Sequence, residues 1–74
     1  MNVFEAKNKA EKCFNESQVE IIVSTCYEYV IVSDVTGEAM IVPDLNTAYQ
    51  CDVKWIFKAR RNNGITVVEL CEIH

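Results

Sequence analysis

The stretch CDVKWIFKARR (51–61) decides the fold. Val53, Trp55, Phe57 and Ala59 alternate with Asp52, Lys54, Lys58 and Arg60. A period of two puts the first set on one side of an extended chain and the second on the other, so the segment reads as an amphipathic strand. Its apolar side needs a cover. RNNG (61–64) then supplies a turn, with Gly64 where positive φ is tolerated, and ITVVELCEI (65–73) reads as the returning strand.

Working backward, AMIVP (39–43) is a strand ended by Pro43, which cannot donate to a ladder. Gly37 in DVTGE places a turn before it, so residues 27–42 are expected to form a hairpin. VEIIVSTC (19–26) is a further strand candidate, either separate from 27–34 or continuous with it through a bend. DLNTAYQC (44–51) is read as a loop or as one helical turn begun by Asp44 or Asn46.

Residues 2–15 form the one clear helix. Asn2 is a suitable N-cap with Glu5 three residues on, in the manner of a capping box. Val3, Ala6, Ala10, Cys13 and Phe14 recur at a spacing of three to four and define the stripe that must be buried. The expected class is α+β: one N-terminal helix packed on a curved, four- to five-stranded, mainly antiparallel sheet, forming a single domain over 1–74. Val53, Trp55 and Phe57, with Val68 and Leu70 beside them, are expected to face the helix. This order resembles small helix-on-sheet modules of the cystatin-like and PepSY-like kinds in topology alone, and the resemblance implies no function.

One helix of fourteen residues is about 21 Å long and covers only part of such a sheet. Yet Tyr27, Tyr29 and Ile31 oppose Val30 and Val32 on one strand, and apolar residues on both sides mean cover on both sides. The second cover is expected from sheet curvature, from 44–51, or from another chain.

Composition narrows the function. The net charge of −4 argues against phosphate neutralisation and against attraction to an anionic membrane, so neither nucleic acid nor membrane is an expected partner. No apolar run is long enough to span a bilayer, and MNVFEAKNKAEK (1–12) lacks the apolar core of a signal peptide, so a cytoplasmic location is expected. In that compartment Cys13, Cys26, Cys51 and Cys71 read as reduced, buried small hydrophobes. No C-x-x-C pair suggests a zinc turn, and neither metal nor cofactor is expected.

The single histidine is the terminal His74, and both glycines are explained by turns, so no catalytic constellation is legible and no enzymatic activity is expected. Asn15-Glu16-Ser17 matches a glycosylation sequon that a chain without an export signal does not use. Glu16, Glu20, Glu28, Asp34, Glu38, Asp44 and Asp52 are seven of the eleven acids, with no Lys or Arg among them until Lys54. Either neighbouring strands pair Glu20 or Glu28 with Lys54 or Lys58, or the acids form a patch that steers the chain toward a basic protein.

The expected function is therefore protein binding. The chain reads as a small acidic inhibitor or regulator of the kind mobile elements encode, or as a homodimer. Tyr27, Tyr29 and Ile31 are the candidate contact residues, with Glu28, Asp34 and Glu38 as an acidic rim. The rival reading is a small-ligand or metal-binding domain using the curved sheet and its cysteines.

Overall fold

The computed structural model of the chain describes residues 1–17, 27–62 and 64–73. Helix α1 (Val3–Glu16) is followed by strands β1 (Glu28–Val32) and β2 (Ala39–Val42), helix α2 (Leu45–Gln50), and strands β3 (Trp55–Asn62) and β4 (Ile65–Ile73). The four strands make one antiparallel sheet in the order β2-β1-β3-β4. The α+β expectation therefore holds, with four strands among the described residues. The strand expected at 19–26 lies outside those residues.

Helix α1 starts where the sequence says it should. The Asn2 side chain accepts from the Glu5 N–H at 2.9 Å, satisfying a donor that has no partner inside the helix. It stops at Ser17, whose N–H donates to the Cys13 carbonyl at 3.0 Å while its hydroxyl donates to the Phe14 carbonyl at 2.6 Å. Ala6, Ala10 and Phe14, each four residues from the next, are fully buried. The two alanines let the helix backbone approach the sheet closely, and Phe14 fills the space at its C-terminal end. Beneath them lie Val30, Val32, Trp55, Phe57, Ala59 and Val68, with Val3 and Cys13 at the margin.

The opposite face has its own cover. Ile31, Val42 and Ile56 pack with Ala48 of α2, flanked by Tyr29, Leu45, Cys51 and Val53. Of the three covers that the sequence allowed, residues 44–51 supply this one. Asp44 begins α2 by accepting from the Thr47 N–H and hydroxyl, both at 2.7 Å, and these bonds hold its carboxyl below the usual carboxylate range. Both faces of β1 are thus buried because a helix lies on each.

One face assignment in the core is corrected, and one residue is more open than its place suggests. Val53 precedes β3 and joins the α2 side, so it does not face α1. Leu70 is 42% exposed. Leu70 pairs with Phe57 and so keeps the α1 face expected of it, but on β4, at the edge of the sheet among the described residues, it stays partly open; Ile56 pairs with Glu72, so Cys71 is an extra residue in β4 beyond it. Among the described residues, no helix is long and apolar enough to cross a membrane.

Candidate functional site

The turn between β1 and β2 is fixed by its own hydrogen bonds. The Ser33 N–H donates to the Glu38 carbonyl and the Gly37 N–H to the Ser33 carbonyl, both at 2.9 Å. The Ser33 hydroxyl oxygen accepts from the Thr36 N–H at 3.3 Å, and that of Thr36 accepts from the Glu38 N–H at 3.2 Å. Gly37 sits at φ +72°, a conformation that side-chain-bearing residues rarely adopt. A Cβ there would also stand 3.5 Å from the Met1 side chain.

Two ion pairs anchor this turn to its surroundings. The Asp34 carboxylate lies 3.7 Å from the N-terminal amine and 3.9 Å from Lys54 Nζ. Exposed pairs of this kind contribute at most about 1 kcal/mol each, so their role is positional. Between Asp34 and Thr36, Val35 stands 94% exposed.

Beside the turn lies a cleft of about 470 Å³, lined by Ile31, Ser33, Thr36, Glu38, Ala39, Met40 and Val53. A second depression of about 360 Å³ adjoins it. The two share Ser33 and Val53, and Asp34, Val35, Asp52 and Lys54 line the second. Ile31, Ala39, Met40 and Val53 supply the apolar part of the lining, and the polar part mixes the hydroxyls of Ser33 and Thr36 with Glu38, Asp34, Asp52 and Lys54. Ile31, at 3% exposure, forms floor and core at once, and Met40 is 54% exposed.

Three of the residues singled out from sequence, Ile31, Asp34 and Glu38, therefore meet at this end of the sheet. The other three do not join them. Tyr27 and Tyr29 lie at or near the far end of β1, and Glu28 pairs with Ala59, whose side chain belongs to the core under α1. Glu28 therefore points to the opposite face from the two tyrosines. Strand β1, roughly 13 Å from Glu28 to Val32, and then Ser33 separate Glu28 from Asp34 in the turn, so the acids do not form one continuous rim.

The basic residues of 51–61 are each engaged within the chain. Lys54 meets Asp34, and also lies 5.0 Å from the Trp55 ring. Lys58 and Arg60 stand over the Tyr27 ring at 4.6 and 5.7 Å, and Arg61 lies over Phe14 at 5.4 Å. Lys58 is flanked in register by Tyr29 and Glu69. Of the cross-strand pairs that the sequence allowed, those of Glu20 lie outside the described residues, and in place of Glu28 it is Asp34 that meets Lys54, because the 33–38 turn folds toward the entry of β3. The residues that sequence reading missed are Val35, Met40, Val53 and Asp52. A β-branched residue at the tip of a turn was a legible signal for Val35, whereas Val53 and Asp52 reach the cleft only through the path of the chain after α2.

Two further groups bear on chemistry. The Tyr49 hydroxyl donates to Glu72 Oε1 at 2.5 Å, tying α2 to β4. That bond first, then burial and nearby negative charge, pushes the phenol up to about 12. Because the folded value lies above the ordinary value of about 10, this tie contributes below pH 10 and is lost as pH rises from 10 through 12. A spectrophotometric titration of the wild type minus that of Tyr49→Phe is expected to show one phenol ionising near 12, and Glu72→Gln to return it toward 10. Ionisation near 10 in the parent protein would show that the bond does not persist in solution.

Burial and the Glu16 carboxylate raise the Cys13 thiol, which keeps it protonated and a poor nucleophile. Cys51 donates its thiol to the Thr47 carbonyl at 3.4 Å, and Cys71 is exposed on β4. Among the described residues, no three His, Cys, Asp or Glu side chains gather closely enough to hold a metal ion. No protein-family model, no curated protein and no solved structure matches this chain.

Proposed function

We propose that this chain is a protein-binding module that acts by occupying a partner rather than by catalysis, through the end of the sheet formed by the 33–38 turn and residues 51–54. The observation that supports this reading is an apolar cleft beside a turn held by four hydrogen bonds, with Val35 and Met40 projecting from it. A fixed loop binds without a large ordering cost, and an exposed aliphatic knob next to an apolar recess gives a partner two points of engagement. An acidic inhibitor or regulator of a larger protein is the role such a surface suits.

A displayed library of random peptides, panned on the protein, tests this directly. Binders are expected to compete with one another and to lose at least about tenfold in affinity on Met40→Asp, a change at an exposed site that leaves folding intact. Recovery of no binders, or of binders indifferent to both Met40→Asp and Val35→Asp, would overturn the reading.

Self-association is the second form of this reading, favoured by a different observation. At the edge of the sheet among the described residues, strand β4 is nine residues long, has no Lys, Arg or Pro and only Glu69 and Glu72 as charges, and Ile65, Leu70 and Ile73 are 67%, 42% and 58% exposed on it. Edges are ordinarily guarded by short length, charge or proline, as the four-residue β2 with Pro43 is. Light scattering at twice the 8.5 kDa chain mass, falling to the chain mass in Ile65→Lys/Ile73→Lys, is the result expected for pairing through β4.

A further inference from the structure

We infer that Tyr49 and Glu72 are positioning residues for the cleft: their hydrogen bond straps α2 across the sheet and so fixes the Val53 wall, although neither side chain lines the recess. This rests on the reading of that end of the sheet as the docking surface, and it adds what holds the surface in place. Helix α2 rests mainly on β1 and β2, and its buried residue, Ala48, has a single carbon to pack. Tyr49, the next residue, reaches past β3 to the far side of the sheet and donates to Glu72 on β4 at 2.5 Å. The extra residue in β4 makes this possible. Leu70 pairs with Phe57, so a regular ladder would set Cys71 opposite Ile56, and the bulge sets Glu72 there instead. Ile56 packs with Ala48, so Glu72 is turned to the face that carries α2, which is how bulges re-aim side chains.

From α2 the connection to the cleft is short. The Cys51 N–H donates to the Ala48 carbonyl at 3.2 Å and its thiol to the Thr47 carbonyl at 3.4 Å, while the Val53 N–H donates to the Cys51 carbonyl at 3.0 Å. Val53 packs against the cluster that contains Ala48, and it lines both the cleft and the adjoining depression. The cap at Asp44 holds the start of α2, and the Tyr49 bond holds its last turn. A helix of six residues does not persist on its own hydrogen bonds, so releasing that turn from β4 loosens residues 51–53 with it.

The test is amide hydrogen exchange on the full chain in Tyr49→Phe, Glu72→Ala, their double variant and Glu72→Gln. Each of the first two is expected to speed exchange at Cys51 and Val53 by about three- to tenfold, the weight of one hydrogen bond. In the Glu72→Ala background Tyr49→Phe should add little, because its partner is already gone. Glu72→Gln keeps an acceptor oxygen and should fall between the wild type and Glu72→Ala. Exchange along β1 and β3 should stay at the wild-type rate, which separates a loosened cleft wall from general destabilisation. Library binders that depend on Met40 should weaken by a similar factor in Tyr49→Phe. The inference is overturned by unchanged exchange at Cys51 and Val53, by effects that simply add in the double variant, by equal acceleration along β1 and β3, or by binders that keep their affinity while Val53 loosens. If exchange responds as expected and no binder depends on Met40, the docking surface fails and the strap stands.

Discussion

Replacing Phe57 with alanine is expected to lower the free energy of unfolding by about 3–5 kcal/mol, the range for truncating a fully buried phenylalanine. Phe57 is 0% exposed and sits on β3, an interior strand, beneath α1. Its ring packs in the layer that contains Phe14, Trp55, Val30 and Val68. A chain of 74 residues commonly has only about 4–11 kcal/mol of stability in all, so this one change removes a large share of it. The cavity closes poorly, because the α1 side of the layer is held by Ala6 and Ala10, which have no side-chain length to give.

The measurement is urea unfolding followed by the fluorescence of Trp55, the single tryptophan, which is 2% exposed and reports this layer directly. Phe4→Ala is the matched control: Phe4 is 76% exposed on α1, and its loss should stay within about 0.5 kcal/mol. A loss below about 1.5 kcal/mol at Phe57 would show that α1 does not close over the sheet as described.

The sequence made the α1 side legible because two periodicities pointed to the same layer. The stripe Ala6, Ala10 and Phe14 repeats every four residues, and Trp55, Phe57 and Ala59 repeat every two, so each set can bury itself only against another such surface. The α2 side was legible only as a need. Ile31 opposite Val30 and Val32 demanded a second cover, but a six-residue helix begins on its cap and not on an amphipathic pattern, so the only local signs were the two candidate caps Asp44 and Asn46, of which Asp44 is the one used. Leu70 keeps the α1 face that its alternation assigns, opposite Phe57, and its exposure follows from β4 standing at the edge of the described sheet, which the pattern of one strand does not record.

The candidate site divides in the same way. Asp34 and Glu38 belong to one turn, which Gly37 signals in the sequence and Ser33 and Thr36 help to close. Their distance from Glu28 follows from the length of β1, which composition does not record. A run of acids in sequence therefore became two separated groups, while Val53 and Asp52, distant in sequence from the turn, came to line the same cleft.

Ile56→Ala is expected to cost about 2–3 kcal/mol, in the lower part of the range for burying an isoleucine, because the small helix above it can settle into the vacated space. Ile56 is 0% exposed and is the one β3 residue in the cluster with Ile31, Val42 and Ala48. Helix α2 has too few residues to be stable without that contact, since a helix this short does not hold in water on its own hydrogen bonds.

The loss should therefore appear locally before it appears globally. Hydrogen exchange at the amides of Ala48 and Cys51, which donate at 3.2 Å to the carbonyls of Asp44 and Ala48, should speed up more than exchange along β3 and β4. Because Val53 follows α2 and forms part of the cleft, peptide binding there should weaken in the same variant, although Ile56 does not line the cleft. Uniform acceleration across the sheet and α2 would instead mean that the two layers open as one unit. The cleft could not then be loosened without unfolding the strand that carries Phe57.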